Sequence, residues 1–170
     1  MTGAKREYSG AALNSFILAL GHSHGIVQKI LTHAGVDRID PERWYEFGWA
    51  ASIYYKIGVE VGRAALIEVG RKMIESAEYP GGINGIHTLL MALGDAYRLN
   101  ARGPEIGEIT CTLEDEHSAT LVWNTPFPCA LNVGILEGSC SRYGARALVE
   151  HGAGGCMDDG GASCTYHVSW

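Results

Sequence analysis

Residues 41–77 constrain the fold of this chain more than any other segment. Their apolar residues recur at helical spacing and predict one long helix, bent near Gly58, with Asp40 as N-cap and Pro41 in the first turn. The apolar positions form two stripes on nearly opposite sides of that helix. One stripe contains Tyr55, Val59, Gly62, Leu66, Val69, Gly70 and Met73, and the other contains Ile57, Val61 and Ala64. A helix that is apolar on two sides must lie between two other layers, and its glycines allow a neighbouring helix to approach closely.

The rest of the chain predicts helices followed by a β-β-α-β-β order. The predicted helices span residues 11–20, 25–34 (capped by Gly35), 41–77, 82–100 and 126–140, and the predicted strands span 108–113, 119–123, 145–150 and 165–170. This pattern predicts a single α+β domain over residues 1–170. A helical half, about 10–98, would pack as a layer on an antiparallel sheet built by an α/β half, about 105–170.

Composition narrows the classes of function. The 170 residues include 19 acidic and 13 Lys or Arg residues, a net charge of -6, which argues against nucleic acid as a partner. No apolar run approaches the roughly 20 residues that cross a bilayer, and no secretory signal is evident, so we expect no membrane insertion and a cytoplasmic location. Only 19% of the residues are charged, whereas 46% are hydrophobic. This apolar surplus predicts a hydrophobic pocket and a homodimer surface.

The five cysteines predict reduced thiols or a metal site rather than a disulfide framework. Cys156 and Cys164 flank an Asp159-Gly160 hairpin signal, which would bring both thiols to the hairpin base. Cys129 opens the preceding predicted helix, whose N-terminus favours a thiolate. Three thiolates need one more ligand to form a closed zinc site, and residues 150 and 151 end the adjoining predicted strand. The alternative is that these cysteines are simply small buried residues.

The same region resembles the 4-vinyl reductase domain of bacterial tetrapyrrole-related proteins and phenol sensors. The resemblance rests on Cys129, Gly134, Gly138, Tyr143, Gly144, Glu150, Cys156, Gly160, Cys164 and Tyr166, with a looser match in the helical half. It implies a fold shared with heme-nitric-oxide-binding domains and an apolar pocket between the helices and a curved sheet. It also implies a zinc ion held by Cys129, Cys156 and Cys164. The glutamate that completes the site in the phenol sensors has no clean counterpart here, which leaves Glu150, His151 or no residue as the fourth ligand.

Five residues are candidates for binding a ligand in such a pocket: His87, Glu68, Tyr55, Met91 and Trp49. His87 and Met91 lie together on the apolar helix before the first predicted strand, and an imidazole there is either a heme ligand or a half-buried group bonded to backbone. Heme-nitric-oxide-binding domains also carry a Tyr-x-Ser-x-Arg motif, where this sequence has WNTPFP. Glu68 is either a polar handle for a ligand or the partner of a nearby cation such as Arg71. Tyr55 and Trp49 belong to an aromatic segment that fills core or lines a pocket.

Three hypotheses of function follow. The leading one is a domain that binds a small hydrophobic ligand, aromatic or tetrapyrrole-like, and carries a structural zinc site. The alternative is an enzyme or accessory factor in the metabolism of tetrapyrroles or other conjugated rings, although no nucleotide-cofactor motif is present. A second alternative is a heme-binding gas sensor that uses His87. The residues alone leave open whether the chain is an enzyme.

Overall fold

The computed structural model describes residues 4–170 and shows an α+β fold with seven helices and two antiparallel sheets in those residues. The helices are α1 (Gly10–Leu13), α2 (Ser15–Leu20), α3 (His24–His33), α4 (Phe47–Glu60), α5 (Arg63–Ser76), α6 (Ile86–Asn100) and α7 (Cys129–Ser141). The strands are β1 (Glu7–Ser9), β2 (Trp44–Glu46), β3 (Ala101–Arg102), β4 (Ile109–Asp115), β5 (Ser118–Trp123), β6 (Leu148–His151) and β7 (Cys164–Ser169). The predicted fold class is confirmed. Among the described helices, none has the length and apolar character needed to cross a membrane.

Along the chain, the second half runs β4, β5, α7, β6 and β7, so the predicted β-β-α-β-β order is confirmed. Within the larger sheet these strands lie in the order β4-β5-β7-β6. Side chains on its central strands alternate between the interior and solvent, as expected for a sheet with one covered face. Leu121, Trp123 and Tyr166 are buried on the inner face, whereas His167 is exposed on the outer face. This inner face forms the floor on which the helices pack.

Helix α7 is the two-sided apolar helix at the centre of the molecule. Eleven of its thirteen residues are buried, and it packs between α5 and the inner face of the sheet. Gly134 of α7 and Gly70 of α5 make the closest approach, because a Cβ added to Gly134 would lie 2.0 Å from the Ile67 carbonyl oxygen and 2.9 Å from the Cα of Gly70. Glycine is therefore required at this crossing for the two backbones to touch.

The predicted helix over residues 41–77 is wrong in its extent. The chain breaks at Gly62, whose φ of 111° only glycine adopts readily, so α4 and α5 are separate helices. The stripe of Leu66, Val69 and Met73 is buried as predicted, but Val59 is 87% exposed on α4 and Ala64 is also exposed. The helical spacing of apolar residues continues across Gly62 in the sequence. The backbone changes direction at Gly62, however, and this exposes part of the predicted apolar stripe to solvent.

Helix α4 begins later than predicted, after Glu46 rather than Asp40. The Glu46 carboxylate accepts hydrogen bonds from the Gly48 and Trp49 amides at 2.9 and 2.6 Å and thereby caps the helix. Residues Trp44–Glu46 instead form the edge of a small sheet with strand order β2-β1-β3, which periodicity did not reveal because its strands have only two or three residues. The cap at Gly35 is confirmed, since Gly35 has a positive φ and its amide bonds to the Thr32 carbonyl.

Candidate functional site

Four potential metal ligands converge beside the start of α7. The donor atoms of Cys129, His151, Cys156 and Cys164 all lie within 4.8 Å of one another. Cys129 is the first residue of α7, His151 ends β6, Cys164 begins β7, and Cys156 lies in the loop between these strands. Three of the four come from the segment that joins two paired strands, so the sheet itself brings them together.

The spacing of the sulfur atoms suits a tetrahedral ion. The Sγ atoms of Cys156 and Cys164 are 3.7 Å apart, and two thiolates bound to one tetrahedral zinc ion are separated by about 3.8 Å when each Zn–S bond is about 2.3 Å. Three sulfur donors and one imidazole nitrogen are also a ligand set that zinc commonly takes. The residues present therefore fit a zinc ion.

His151, and not Glu150, faces the three cysteines. Successive side chains of a strand point to opposite sides of the sheet, so these neighbours in β6 cannot both face the cluster. His151 Nδ1 donates to the Gly152 carbonyl oxygen at 2.7 Å, which leaves Nε2 as the atom with a free lone pair. Glu150 is exposed and lies opposite His167 in the β6–β7 register. The choice left open by the sequence thus falls on the histidine.

Hydrogen bonds from neighbouring groups hold the thiols in place. The Tyr166 hydroxyl donates to Cys129 Sγ at 3.1 Å, and the Met157 amide donates to Cys164 Sγ at 3.3 Å. The Asp158 carboxylate accepts from the Cys129 amide at 3.1 and 3.2 Å, and so caps α7. Bonds of this kind fix the orientation of metal ligands and tune their basicity.

The electrostatics of the cysteines differ from the sequence prediction. Burial raises the pKa of the Cys129 thiol to about 12, although the Tyr166 hydroxyl opposes this, so the helix N-terminus alone does not produce a thiolate there. Burial also acts to raise the pKa of Cys164, but the Met157 amide and His151 outweigh it and lower that pKa. Burial and these hydrogen bonds therefore shift the pKa values of Cys129 and Cys164 in opposite directions.

The loop that carries Cys156 is tighter than the predicted hairpin. Met157–Asp159 form a single 3₁₀ turn, and Gly160 follows with a φ of 85°. The Gly161 amide then returns to the Cys156 carbonyl at 2.8 Å. A Cβ on Gly161 would lie 2.8 Å from that same carbonyl oxygen. The two thiols are adjacent as predicted, because the glycines close this loop within a few residues.

The five predicted ligand-binding residues are not brought together. His87 Nε2 donates to the Glu116 carbonyl at 2.8 Å, which matches the backbone-bonded alternative, and Glu68 accepts from Arg71 at 3.0 Å, which matches the ion-pair alternative. Met91 is 59% exposed, and the Trp49 indole donates to the Ala34 carbonyl at 3.0 Å. Tyr55 is 42% exposed, and partial burial together with Asp158, Cys156 and Cys164 raises the pKa of its hydroxyl.

The interior cavity is lined by other residues. It has a volume of about 40 Å³ and lies among α5, α6, α7 and the inner face of the sheet. None of its lining side chains carries a formal charge, and aromatic rings such as Tyr8, Tyr97, Trp123 and Phe127 form much of the wall. Its polar groups include Asn132, which bonds to Tyr166, and Thr125, whose buried hydroxyl has no partner among the described residues. Thr125 lies in the irregular segment before α7, where no apolar period marks it. Phe127 falls within the helix predicted over residues 126–140, but the observed helix begins only at Cys129.

Comparison with solved structures places this geometry in a known fold. An H-NOX protein from S. oneidensis, in its Fe(II)NO state, matches with a TM-score of 0.69 and 14% identity over 95% of this chain and 98% of that one. The chain has the H-NOX fold. A point mutant of the H-NOX from T. tengcongensis matches with a TM-score of 0.69 and 16% identity over 95% and 96% of the two chains. An oxygen-binding H-NOX domain related to soluble guanylate cyclases matches with a TM-score of 0.63 and 14% identity over 94% and 91%.

The predicted relation in fold to heme-nitric-oxide-binding domains is therefore confirmed. No family model matches the sequence, and no curated protein matches it. Membership of the 4-vinyl reductase family stays a prediction, carried by the motif residues alone.

The residues of this chain do not fit a heme in the H-NOX manner. Sites for cofactors of drug size or larger occupy about 300–1,000 Å³, far above the 40 Å³ of the interior cavity. His87, the predicted axial ligand, does not line the cavity; its ring meets Trp170 edge-on at 5.4 Å while Nε2 is bonded to backbone. The lining also offers no cation to pair with an acidic macrocycle.

Proposed function

We propose that this chain is a ligand-binding domain in which a Cys₃His zinc site stabilises one wall of a small interior cavity. The observation that carries the proposal is the convergence of Cys129, His151, Cys156 and Cys164 beside Tyr166, which touches both the cluster and the cavity wall. The proposal keeps the hydrophobic ligand and the zinc of the leading hypothesis. It replaces the five predicted ligand-binding residues with the side chains that line the cavity.

The role of zinc in this proposal is structural. All four coordination positions are supplied by protein groups, whereas catalytic zinc sites keep one position for water or substrate. A bound zinc ion deprotonates its cysteine ligands and so overrides the effect of burial on Cys129. The free energy of binding would tie the start of α7 to the edge of the larger sheet.

The role of the cavity is to admit a small uncharged group. Its aromatic and aliphatic lining supplies apolar contact, and a bound ligand shifts a sensor only by its preference for one conformation over another. We propose no catalytic step, because the lining residues include no carboxylate, histidine, lysine or cysteine to act as acid, base or nucleophile.

The zinc assignment is tested by the metal content of the purified protein and two matched variants. We expect about one zinc per chain in the wild type and in Glu150→Gln, and marked loss of zinc from His151→Ala. Equal zinc in all three would exclude His151 as a ligand, and no zinc in the wild type would overturn the metal site.

Ligand binding is tested by isothermal titration with phenol and with 1-octanol, two neutral apolar probes. We expect saturable heat with at least one of them in the wild type. We expect loss of that heat in Ala96→Leu, because Ala96 lines the cavity and the larger side chain would fill it. No saturable heat with either probe would overturn the ligand-binding proposal.

A heme-binding gas sensor is the second candidate, supported by the fold match over nearly the whole chain. The small cavity and the bonded His87 stand against it. The absorption spectrum of the purified protein separates the two candidates. Our first proposal predicts no Soret band, also after incubation with hemin, whereas a Soret band that is lost in His87→Ala would favour the second.

A further inference from the structure

A surface groove shares one lining side chain with the interior cavity. The groove has a volume of about 250 Å³. Tyr79 lines both the cavity and the groove, and no other residue among 4–170 does so. With Tyr79 turned aside, the two spaces would join and approach the lower limit, about 300 Å³, of ordinary small-molecule sites.

Tyr79 is held by packing rather than by a hydrogen bond, because its half-buried side chain lies against the hydrophobic core. No hydrogen bond from the described residues holds its hydroxyl, and the next residues are Pro80, Gly81 and Gly82, the last with a φ of 85°. The backbone of the preceding residue, Glu78, is fixed by the side-chain amide of Asn100. Asn100 Oδ1 accepts from the Glu78 backbone N–H at 3.1 Å, and Asn100 Nδ2 donates to the Glu78 backbone carbonyl at 2.8 Å. Opening the passage would therefore take a change of the Tyr79 rotamer and the loss of its packing contacts, with no hydrogen bond to break.

The joined space has an uncharged inner end and a cationic outer end. Ile74, Ile83 and Leu89 give the groove an apolar wall, and Arg142 is the only charged residue that lines it in the described part of the chain. Arg142 is exposed and forms no salt bridge within the described part of the chain, whereas the nearby Glu68 and Glu75 are paired with Arg71 and Lys72. A guanidinium without a partner at the mouth of an apolar space suits a carboxylate.

We infer that the domain binds an apolar monocarboxylate, with its carboxylate at Arg142 and its hydrocarbon chain directed past Tyr79 into the interior cavity. This inference rests on the proposed ligand-binding function and names its ligand class. The groove at Arg142 selects the charge, and the inner cavity selects an uncharged hydrocarbon end.

The test is isothermal titration of the full chain with sodium octanoate and 1-octanol, which share a chain length and differ in charge. We expect octanoate to bind more tightly than 1-octanol, and Arg142→Gln to weaken octanoate about tenfold while leaving 1-octanol unchanged. Arg146→Gln is the matched control, because Arg146 lies in the same loop region but does not line this groove. We expect it to leave both affinities unchanged.

Butanoate and hexanoate, which have shorter hydrocarbon tails than octanoate, test where the tail of the ligand lies. In the wild type we expect affinity to rise about fourfold for each added methylene. In Ala96→Leu that rise should stop once the chain reaches the filled cavity. An equal rise in affinity per methylene in the wild type and in Ala96→Leu would place the hydrocarbon tail outside the cavity and overturn the inference.

The remaining outcomes separate this inference from the proposed function. If 1-octanol or phenol binds but octanoate is no tighter, or if Arg142→Gln and Arg146→Gln weaken octanoate equally, the carboxylate site is refuted and the ligand-binding function stands. If neither 1-octanol nor phenol binds, the proposed function fails, and the inference that rests on it fails with it.

Discussion

The hydroxyl of Tyr166 donates a hydrogen bond to Cys129 Sγ across 3.1 Å. The same hydroxyl accepts a hydrogen bond from Asn132 Nδ2 at 3.2 Å, and Asn132 lines the interior cavity. The Tyr166 ring also meets the rings of His151 and Trp123 edge-on, with centroids 5.2 and 5.9 Å away. One fully buried side chain thus touches two members of the cysteine–histidine cluster and two residues of the cavity wall.

Replacing Tyr166 with Phe should weaken zinc binding without removing any ligand. Loss of a hydrogen bond to a metal ligand typically lowers metal affinity about 10–100-fold. Competition with a chromophoric zinc chelator measures the change. Tyr45→Phe is the control, because the Tyr45 hydroxyl accepts a hydrogen bond from the Asp40 amide, far from the cluster. Equal zinc affinity in wild type and Tyr166→Phe would show that this bond does not support the site.

Replacing Gly134 with Ala should destabilise the protein strongly. The added Cβ would lie 2.0 Å from the Ile67 carbonyl oxygen, so α5 and α7 must separate, and we expect a loss of about 3 kcal/mol or more. Gly154→Ala is the matched control, because a Cβ at this position has no atom within 4 Å. Urea unfolding measures both. Similar midpoints for the two variants would contradict the close packing of these helices.

The N-cap of α4 should make stability depend on pH. Hydrogen bonds from the Gly48 and Trp49 amides lower the pKa of Glu46 below its usual value of 4.5. A carboxyl whose pKa is lowered by folding contributes stability above its unfolded pKa, and that contribution is lost as the pH falls through the folded pKa. Relative to Glu46→Gln, the wild type should therefore lose its advantage in Tm on acidification below about pH 4.5.

The control for this effect is Glu42→Gln, which removes an exposed carboxylate from the loop before β2. The difference in Tm between this variant and the wild type should not show the same dependence. A constant gap between wild type and Glu46→Gln at every acidic pH would mean that the cap does not depend on charge.

The sequence could predict the cluster better than it could predict the cavity. Cys156 and Cys164 are close in sequence, and glycines close the loop between them, so their contact is a local property. Choosing between Glu150 and His151 required the register of β6, because a shift of one residue exchanges the two faces of a strand. Thr125, Asn132 and Tyr79 come from separate elements, and only the assembled fold shows that they surround one space.

The long helix shows why periodicity alone misled the prediction. The apolar spacing continues through Gly62 into α5, and nothing in that spacing records a backbone φ of 111°. The strands β1, β2 and β3 are too short to show alternation, so the smaller sheet was also missed. The helix predicted over residues 126–140 corresponds closely to α7, because that segment has no break and is covered on both sides.

Replacing Thr125 with Val should stabilise the unliganded protein. The Thr125 hydroxyl is buried without a partner among the described residues, and an unsatisfied buried polar group costs about 1–3 kcal/mol. Thermal unfolding should show a higher Tm for Thr125→Val. Thr120→Val is the control on the outer face, where the hydroxyl is bonded to His167 at 3.1 Å, and we expect no gain there. A lower Tm for Thr125→Val would show that its hydroxyl is bonded in the folded protein.

We propose that three cysteines and one histidine hold a single zinc ion, and zinc K-edge X-ray absorption spectroscopy of the purified protein detects those ligands. We expect three sulfur neighbours at about 2.3 Å and one nitrogen neighbour at about 2.0–2.1 Å. A coordination shell of oxygen and nitrogen without sulfur, or four sulfur neighbours, would contradict it.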